Sequence, residues 1–400
     1  MAWSHRARGA PAPPARDVAF WGFALNLWAI WALALSNVFM GVSALAVLAA
    51  RWRGERTPAL LVPARLLRPL TVFVLVFLAS VAFSYEPLTS LVRLKDLLSF
   101  LPLLLALAVV RDEPRARLVV RGLLIMGALV AALGLAQVAI GAAGVEVARR
   151  IPGPFSHYQT FAGVLLLCAA LALARLVCGP AWRMPGTLAG AAVVAAALSL
   201  NLTRGSWVAL GAAALFLLAV RRPRHLLWVA PAAIVLAVLL PAAVRDRAVS
   251  ILDLRDESNY DRLCMLDAGL RMVAERPLLG LGPGVVKTRY PLYRHPTAPR
   301  DRRPHLHNSY LQLAAEHGLL ALAAFVGILG ASFTHTLRNY RREGAAAGPR
   351  ADLHLGVAAA LVAYTLAAFF EDNWADTEVQ KIALFVIALP FCLDSSSGDA

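Results

Sequence analysis

The run TLAGAAVVAAALSLNL occupies Thr187–Leu202 and SWVALGAAALFLLAV occupies Ser206–Val220, with Thr203-Arg204-Gly205 between them. Neither run carries a charge. A helix that crosses a bilayer needs about 20 mostly apolar residues, and in lipid its backbone can bond only to itself. Two such runs joined by a short turn predict a helical hairpin in a membrane. The turn holds one cation, Arg204. An ionisable side chain at membrane depth is a functional candidate by default. The alternative is an interfacial anchor, helped by Trp207.

The rest of the chain reads the same way. Of 400 residues, 59% are hydrophobic and 16% charged, with a formal net charge of +15. Soluble domains are about 45–50% apolar and about 25% charged, so a soluble chain of this composition could not cover its own core. Disordered chains are poor in apolar residues and are excluded by the same excess. Further apolar runs lie at Phe20–Trp52, Leu66–Ser84, Leu91–Val110, Leu118–Ile140, Tyr158–Val177, Leu226–Val244, Ser309–Ser332, Leu353–Phe370 and Glu378–Leu393. The first holds two spans, broken near Ser36-Asn37, which makes about twelve in all. The expected fold is an all-α polytopic membrane protein, one integral membrane domain over residues 1–400. Ala32-Leu33-Ala34 resembles a signal-peptidase site, but the run stays apolar beyond it, so the start reads as uncleaved. Gly9–Arg16, with three prolines, reads as a disordered tail. Cys168, Cys178 and Cys392 fall in or beside spans and Cys264 stands alone, with no CxxC or Cys/His metal spacing.

Lys and Arg in short loops set the orientation. With the N-terminus in the cytoplasm, the inside segments hold 21 cations, grouped at Arg6–Arg16, Arg51–Arg68, Arg111–Arg121, Arg175–Arg183, Arg221–Arg224 and Arg338–Arg350. The short outside segments hold 6: Arg93, Lys95, Arg149, Arg150, Arg204 and Lys381. The other 12 lie in one long outside loop, about 245–308, and long loops are exempt from the rule. Most basic residues therefore report topology, which argues against a nucleic-acid partner.

That loop carries the chemistry-bearing residues. Asn259–Arg276 reads as an amphipathic helix stopped by Pro277. Leu263, Leu266, Leu270 and Val273 share one stripe, and Arg262 falls on the same side, toward the protein body. An arginine there needs an anion; a side chain snorkelling to the interface is the alternative. Asp267, Arg271 and Glu275 follow i, i+4 spacing on a solvated face. In Pro277-Leu278-Leu279-Gly280-Leu281-Gly282-Pro283-Gly284 the glycines permit tight turns and their amides could line an anion site, the structural turn being the favoured reading. No Gly-Lys-Ser/Thr follows, so it is not a Walker loop. Then His305-Leu306-His307-Asn308-Ser309-Tyr310-Leu311-Gln312 precedes an apolar run. Either Asn308 caps that helix, or Ser309 does, with Gln312 closing a capping box. His307 then stands at the outer mouth of a span, where an imidazole can accept a proton; incidental histidines beside an ordinary cap are the alternative. Glu316, two turns in, is an ionisable residue at membrane depth. Glu371-Asp372-Asn373-Trp374-Ala375-Asp376 also faces outside. It reads as a solvated turn, with a metal or an acceptor as the lesser alternative.

These residues resemble the O-antigen ligase family, the group that also contains O-antigen polymerases and protein O-oligosaccharyltransferases. His307-Asn308, nine residues and then Gly318 resemble the ligase signature, whose last position, usually Gly, Thr or Tyr, is Ala321 here. Arg262, its helix and Pro277–Gly282 are similar to the family's loop segment before that histidine. Arg204 is similar to the family's other essential arginine. Gly153-Pro154-Phe155-Ser156-His157 also looks family-like. The motifs cover roughly Gly153–Ala321; elsewhere the resemblance is one of topology.

The resemblance implies transfer of a glycan from undecaprenyl pyrophosphate to lipid A–core oligosaccharide, completing lipopolysaccharide at the periplasmic face of the bacterial inner membrane. Cleaving the sugar–phosphate bond puts negative charge on the departing pyrophosphate, where Arg204 and Arg262 would stabilise it. His307 would take the proton of the attacking hydroxyl. His305, Asn308, Arg289, Arg303 and Glu316 are the expected substrate-binding residues. Lys287, Arg294, Arg300 and Arg302 could also meet acceptor phosphates. No D-x-D pair occurs, so the expected chemistry is free of metal and cofactor. The partners are then the two lipid-linked glycans and membrane lipid. An O-antigen polymerase of the same superfamily is one alternative. A transporter is another, but it would need polar residues near mid-membrane rather than at one outer face.

Overall fold

Backbone that must satisfy its own hydrogen bonds in hydrocarbon becomes helix, and the regular structure among the described residues is entirely helical. The computed structural model describes residues 14–55, 62–141, 150–179, 184–239, 242–250, 253, 256–344 and 350–394. The α-helices are α1 (Ala15–Trp28), α2 (Leu33–Trp52), α3 (Ala64–Ala82), α4 (Pro87–Val92), α5 (Leu101–Val109), α6 (Glu113–Ala139), α7 (Tyr158–Cys178), α8 (Pro185–Leu200), α9 (Arg204–Arg221), α10 (Val229–Leu239), α11 (Ala242–Val249), α12 (Glu257–Glu275), α13 (Val286–Tyr293), α14 (Ser309–Arg342), α15 (Ala351–Ala367) and α16 (Thr377–Asp394). Among them α2, α3, α6, α7, α9 and α14 are long and apolar enough to cross a membrane, and α8 and α15 are shorter apolar helices.

Several expected spans differ in detail. The first pair breaks at residues 29–32, ahead of Ser36-Asn37. Ser36 and Ser43 lie inside α2 and donate to the Asn26 and Ala19 carbonyls, each at 2.7 Å, which pairs α1 and α2 antiparallel. With 14 residues, α1 rises only about 21 Å, short of a hydrocarbon core of about 30 Å. The Leu91–Val110 run is not one helix. It divides into the end of α4, a 3-10 segment Arg93–Phe100 and α5. Arg93, Lys95 and Asp96 fall in that segment and line a cavity instead of facing lipid. The Leu226–Val244 run divides into a 3-10 segment Pro223–Trp228, α10 and α11. Residues 240–241, tail residues 9–13 and the cations Arg6, Arg8, Arg56, Arg149, Arg183 and Arg255 lie outside the described residues.

The interior is built on α7, α15 and α16, which are buried on nearly every side. The outer helices expose large aliphatics instead, including Leu45, Leu75, Ile125 and Leu129. Such a surface suits hydrocarbon and would be a liability in water. Charges collect at the ends. At one end Arg117 pairs with Glu113 (2.6 Å) and Asp352 (2.9 Å), and Arg350 pairs with Glu113 (3.1 Å). The N-termini of α7, α9, α14 and α16 gather at the other.

Helix α12 starts at Glu257, two residues before the expected Asn259, because Asp256 caps it by accepting from the Asn259 amide (3.2 Å). Its packed face is not the leucine stripe. Met265, Ala268 and Met272 are buried against Leu281, Val285, Tyr290 and Leu306, while Leu263, Leu266 and Leu270 are 45%, 41% and 55% exposed. Small residues decide this: a Cβ on Gly269 would come within 2.4 Å of the Leu311 side chain, so that face lies closest to α14. The leucines are left exposed. Arg271 pairs with Asp267 at 2.9 Å on the outer face, as its spacing predicts.

Candidate functional site

The site is organised by the start of α14. Asn308 is the cap: its Oδ1 accepts from the Leu311 amide at 3.0 Å. Gln312 accepts instead from the Leu306 amide (2.9 Å), so no capping box forms on Ser309. This puts His307 one residue outside the helix, with φ of 50°. Left-handed backbone costs a non-glycine residue about 1–3 kcal/mol and persists where its surroundings force it. Among the described residues the other non-glycine case is Leu202 (φ 59°), beside the Arg204 turn.

Glu371 fixes the His307 ring. Nδ1 lies 2.9 and 3.1 Å from the two carboxylate oxygens. Gln159 Nε2 is 3.4 Å from the same nitrogen, and the Ser309 hydroxyl donates to the Glu371 carbonyl (3.1 Å). Among the described residues no hydrogen-bond partner meets the His307 Nε2. The expectation of a solvated acidic turn therefore fails. The Glu371 side chain is only 14% exposed, Asp372 and Asn373 are buried, and Thr160 donates to Asp376. The turn is drawn inward because it bridges the ends of α15 and α16, both buried. Burial alone would raise the Glu371 carboxyl; the His307 hydrogen bond and the charges of His307, His305 and Arg262 outweigh it and hold the carboxyl below its usual value. Burial, with Glu371 nearby, pushes Asp372 up to about 7. Burial and the neighbouring His307 draw His305 down to about 4 despite Glu371. His305 is thus neutral at pH 7, and its Nδ1 accepts from the His307 amide at 3.3 Å, steadying the strained residue. The ligand atoms of His305, His307 and Glu371 lie within 4.8 Å of one another, a spacing that could also hold a metal ion.

His307 stands between two cavities. The smaller, about 300 Å³, is lined by Arg204, Arg262, Leu263, Leu266 and Phe369. The larger, about 1150 Å³, holds Gln159, His305, Glu371, Trp374 and Lys381 on its walls. The two arginines differ. Arg204 is buried and already bound: Nη1 donates to the Ser250 carbonyl (2.7 Å) and hydroxyl (2.9 Å), and Nη2 to Asp256 (3.2 Å) and Asn259 (2.6 Å). It ties Ser250, Asp256 and Asn259 to the start of α9. Arg262 is half-buried, and among the described residues no carboxylate lies within 4.0 Å of it. Burial pulls its guanidinium below its usual value, with Glu371 opposing. An arginine stays charged regardless, so Arg262 keeps a charge in need of an anion.

The glycine-rich segment is a structural turn. Leu281 and Gly282 amides donate to the Ala315 and Glu316 carbonyls (2.8 and 2.9 Å), and the Leu319 amide donates to the Pro277 carbonyl (2.7 Å). These bonds dock the segment on α14 where Gly318 (φ 81°) breaks the helix. Glu316 serves the same junction, accepting from Gln312 (2.9 Å) and from the Gly284 and Val286 amides, while it also lines the larger cavity. A Cβ on Gly318 would sit 2.0 Å from the Leu278 carbonyl oxygen. Gly318→Ala is expected to destabilise the protein by about 3–5 kcal/mol, read as a lowered thermal unfolding temperature in detergent.

Of the remaining expected substrate-binding residues, Arg289 pairs with Glu86 (3.2 Å) and lines neither cavity described above. Arg303 lines the larger cavity, but its guanidinium is buried against Asp261. Asn308 lines the smaller one as the helix cap. Residues the sequence did not single out are Glu371 as a partner of His307, together with Gln159, Trp374 and Lys381. The signal for Glu371 was an acidic turn predicted on the same outer side as His307.

The stretch that carries both arginines and the histidine is also where the chain resembles a known family. Residues 188–326 match the O-antigen ligase family model. Enzymes of that family, ligases and polymerases, transfer glycans and use lipid-linked glycan substrates. No curated protein matches the chain. The O-antigen ligase match runs from α8 into α14 and contains Arg204, Arg262, His307 and Gly318. Glu371, Gln159, Trp374 and Lys381 lie beyond it.

Proposed function

We propose that the protein is an O-antigen ligase, moving a glycan from undecaprenyl pyrophosphate to lipid A–core oligosaccharide at the periplasmic face of the inner membrane. One observation carries the reading: His307, with Nδ1 held by Glu371, stands between an arginine-bearing cavity beside exposed leucines and a larger cavity lined by both polar and aromatic side chains. The smaller cavity suits the donor. Leu263, Leu266 and Phe369 match a polyprenyl chain, and Arg262 matches its pyrophosphate. The larger cavity suits the acceptor.

In this reading the acceptor oxygen attacks the anomeric carbon, and the bond from that carbon to the pyrophosphate oxygen breaks. The leaving group departs with the electron pair. Arg262 meets the growing negative charge by charge-assisted hydrogen bonds worth about 1.5–3 kcal/mol each. Arg204, already bound to Ser250, Asp256 and Asn259, adds its field and holds the start of α12 in place. The hydroxyl proton passes to His307 Nε2, and Glu371 stabilises the imidazolium. The His-Asn-x9-Gly spacing supports a ligase over a polymerase.

Deletion followed by lipopolysaccharide electrophoresis tests this. The expected result is uncapped core with long glycan retained on the lipid carrier. Core capped by a single repeat would assign a polymerase, and unchanged banding would refute both.

A further inference from the structure

The larger cavity contains a buried cation that the transfer chemistry does not use. Lys381, on the second turn of α16, is 3% exposed and lines this cavity. Its Nζ donates to Ser36 Oγ and Asn37 Oδ1, both at 2.7 Å and both neutral. Among the described residues no carboxylate pairs with it within 4.0 Å; Glu378, three positions earlier on α16, acts on it only through its field. An ammonium has three donors, so one remains. A buried charge with only neutral partners is poorly compensated, and an anion is what completes it.

The carboxylates on the same walls are committed elsewhere. Glu371 is bound to His307, Asp376 accepts from Thr160 and the Val379 amide, Asp372 meets Ser309, Glu316 accepts from Gln312 (2.9 Å) and Asp96 pairs with Arg93 (3.8 Å). Lys95, Lys287 and Arg300 also line the cavity and favour entry of an anion. Trp374, half-buried, lines it too, its ring held by Phe100 (5.5 Å between centroids) and Phe325 (4.7 Å). A fixed aromatic face with a few polar groups is the usual make-up of a small-molecule site. At about 1150 Å³ the cavity exceeds what one sugar ring fills.

We propose that the larger cavity binds an acidic saccharide, with Lys381 taking the anionic group of a sugar and Trp374 supplying a stacking face. This rests on the glycan-transfer reading and names the class of saccharide that the cavity selects. The anionic group is a carboxylate or a phosphate, and the experiment separates them.

The full-length protein in detergent is titrated with glucuronate, glucose 6-phosphate and glucose, each followed by saturation-transfer NMR. At least one acidic sugar should bind ten-fold or more tighter than glucose, and the tighter one identifies the group. Lys381→Arg should keep the preference and Lys381→Met should lose it while retaining glucose binding. Trp374→Leu should weaken all three sugars. Lys381 also pins α16 to α2, so Asn37→Asp is the second variant. It keeps the pin and neutralises the ammonium, and it should lose the acid preference with an unchanged unfolding temperature. Equal binding of all three sugars, or an acid preference that survives Asn37→Asp, would overturn the proposal. His307→Ala should retain the preference without transfer, so failure of the catalytic reading is distinguishable from failure of this one.

Discussion

His307→Ala is expected to abolish capped lipopolysaccharide in cells and to lower transfer by purified protein by about 10²–10⁴-fold, the usual worth of a general base. Alanine is strained at φ 50°, and the change strands the Glu371 carboxylate. His307→Asn is the cleaner variant, because asparagine tolerates left-handed backbone. His307→Asn should insert and unfold as the parent does, His307→Ala should unfold at a lower temperature, and both should be inactive. Normal capping in a folded His307→Asn protein would remove His307 from the mechanism.

Glu371→Gln should be nearly as severe, about 10²–10⁴-fold in kcat with KM little changed, since Glu371 acts through His307. The amide has the same shape, but its NH2 can donate to Nδ1. The ring proton then moves to Nε2, the atom that must accept. Because the Glu371 carboxyl is held below its usual value, its contribution is fully present above that usual value and is lost as pH falls through the lowered one. EDTA should leave the wild type active. Loss of activity in EDTA, restored by Zn2+, would instead assign His305, His307 and Glu371 to a metal. A Glu371→Gln enzyme with unchanged kcat would refute the orienting role.

Much of this was legible from order along the chain. The apolar runs announce the helices, because lipid leaves the backbone no other way to satisfy itself. The Asn308 cap, the Arg271–Asp267 pair and the Pro277–Gly284 turn are local, set by residues a few positions apart. The leucine stripe of α12 was also visible, but its partner was not. Periodicity identifies an apolar face without saying whether protein or lipid covers it, and here Gly269 and Ala268 take the protein side. Glu371 was misread for a related reason. An acidic turn between apolar spans looks solvated until the burial of its flanking helices is known.

By itself the sequence supported an expectation of a membrane-embedded helical protein, a resemblance to the O-antigen ligase family and three candidate residues, His307, Arg204 and Arg262, since each rests on composition or a contiguous motif. Only the tertiary structure decided which arginine has no carboxylate partner among the described residues, that Glu371 reaches His307 across 64 positions, and that Lys381 meets Ser36 across 345. Those contacts join segments with no local signal for each other. They arise when buried helices bring their polar ends to one side of the bundle.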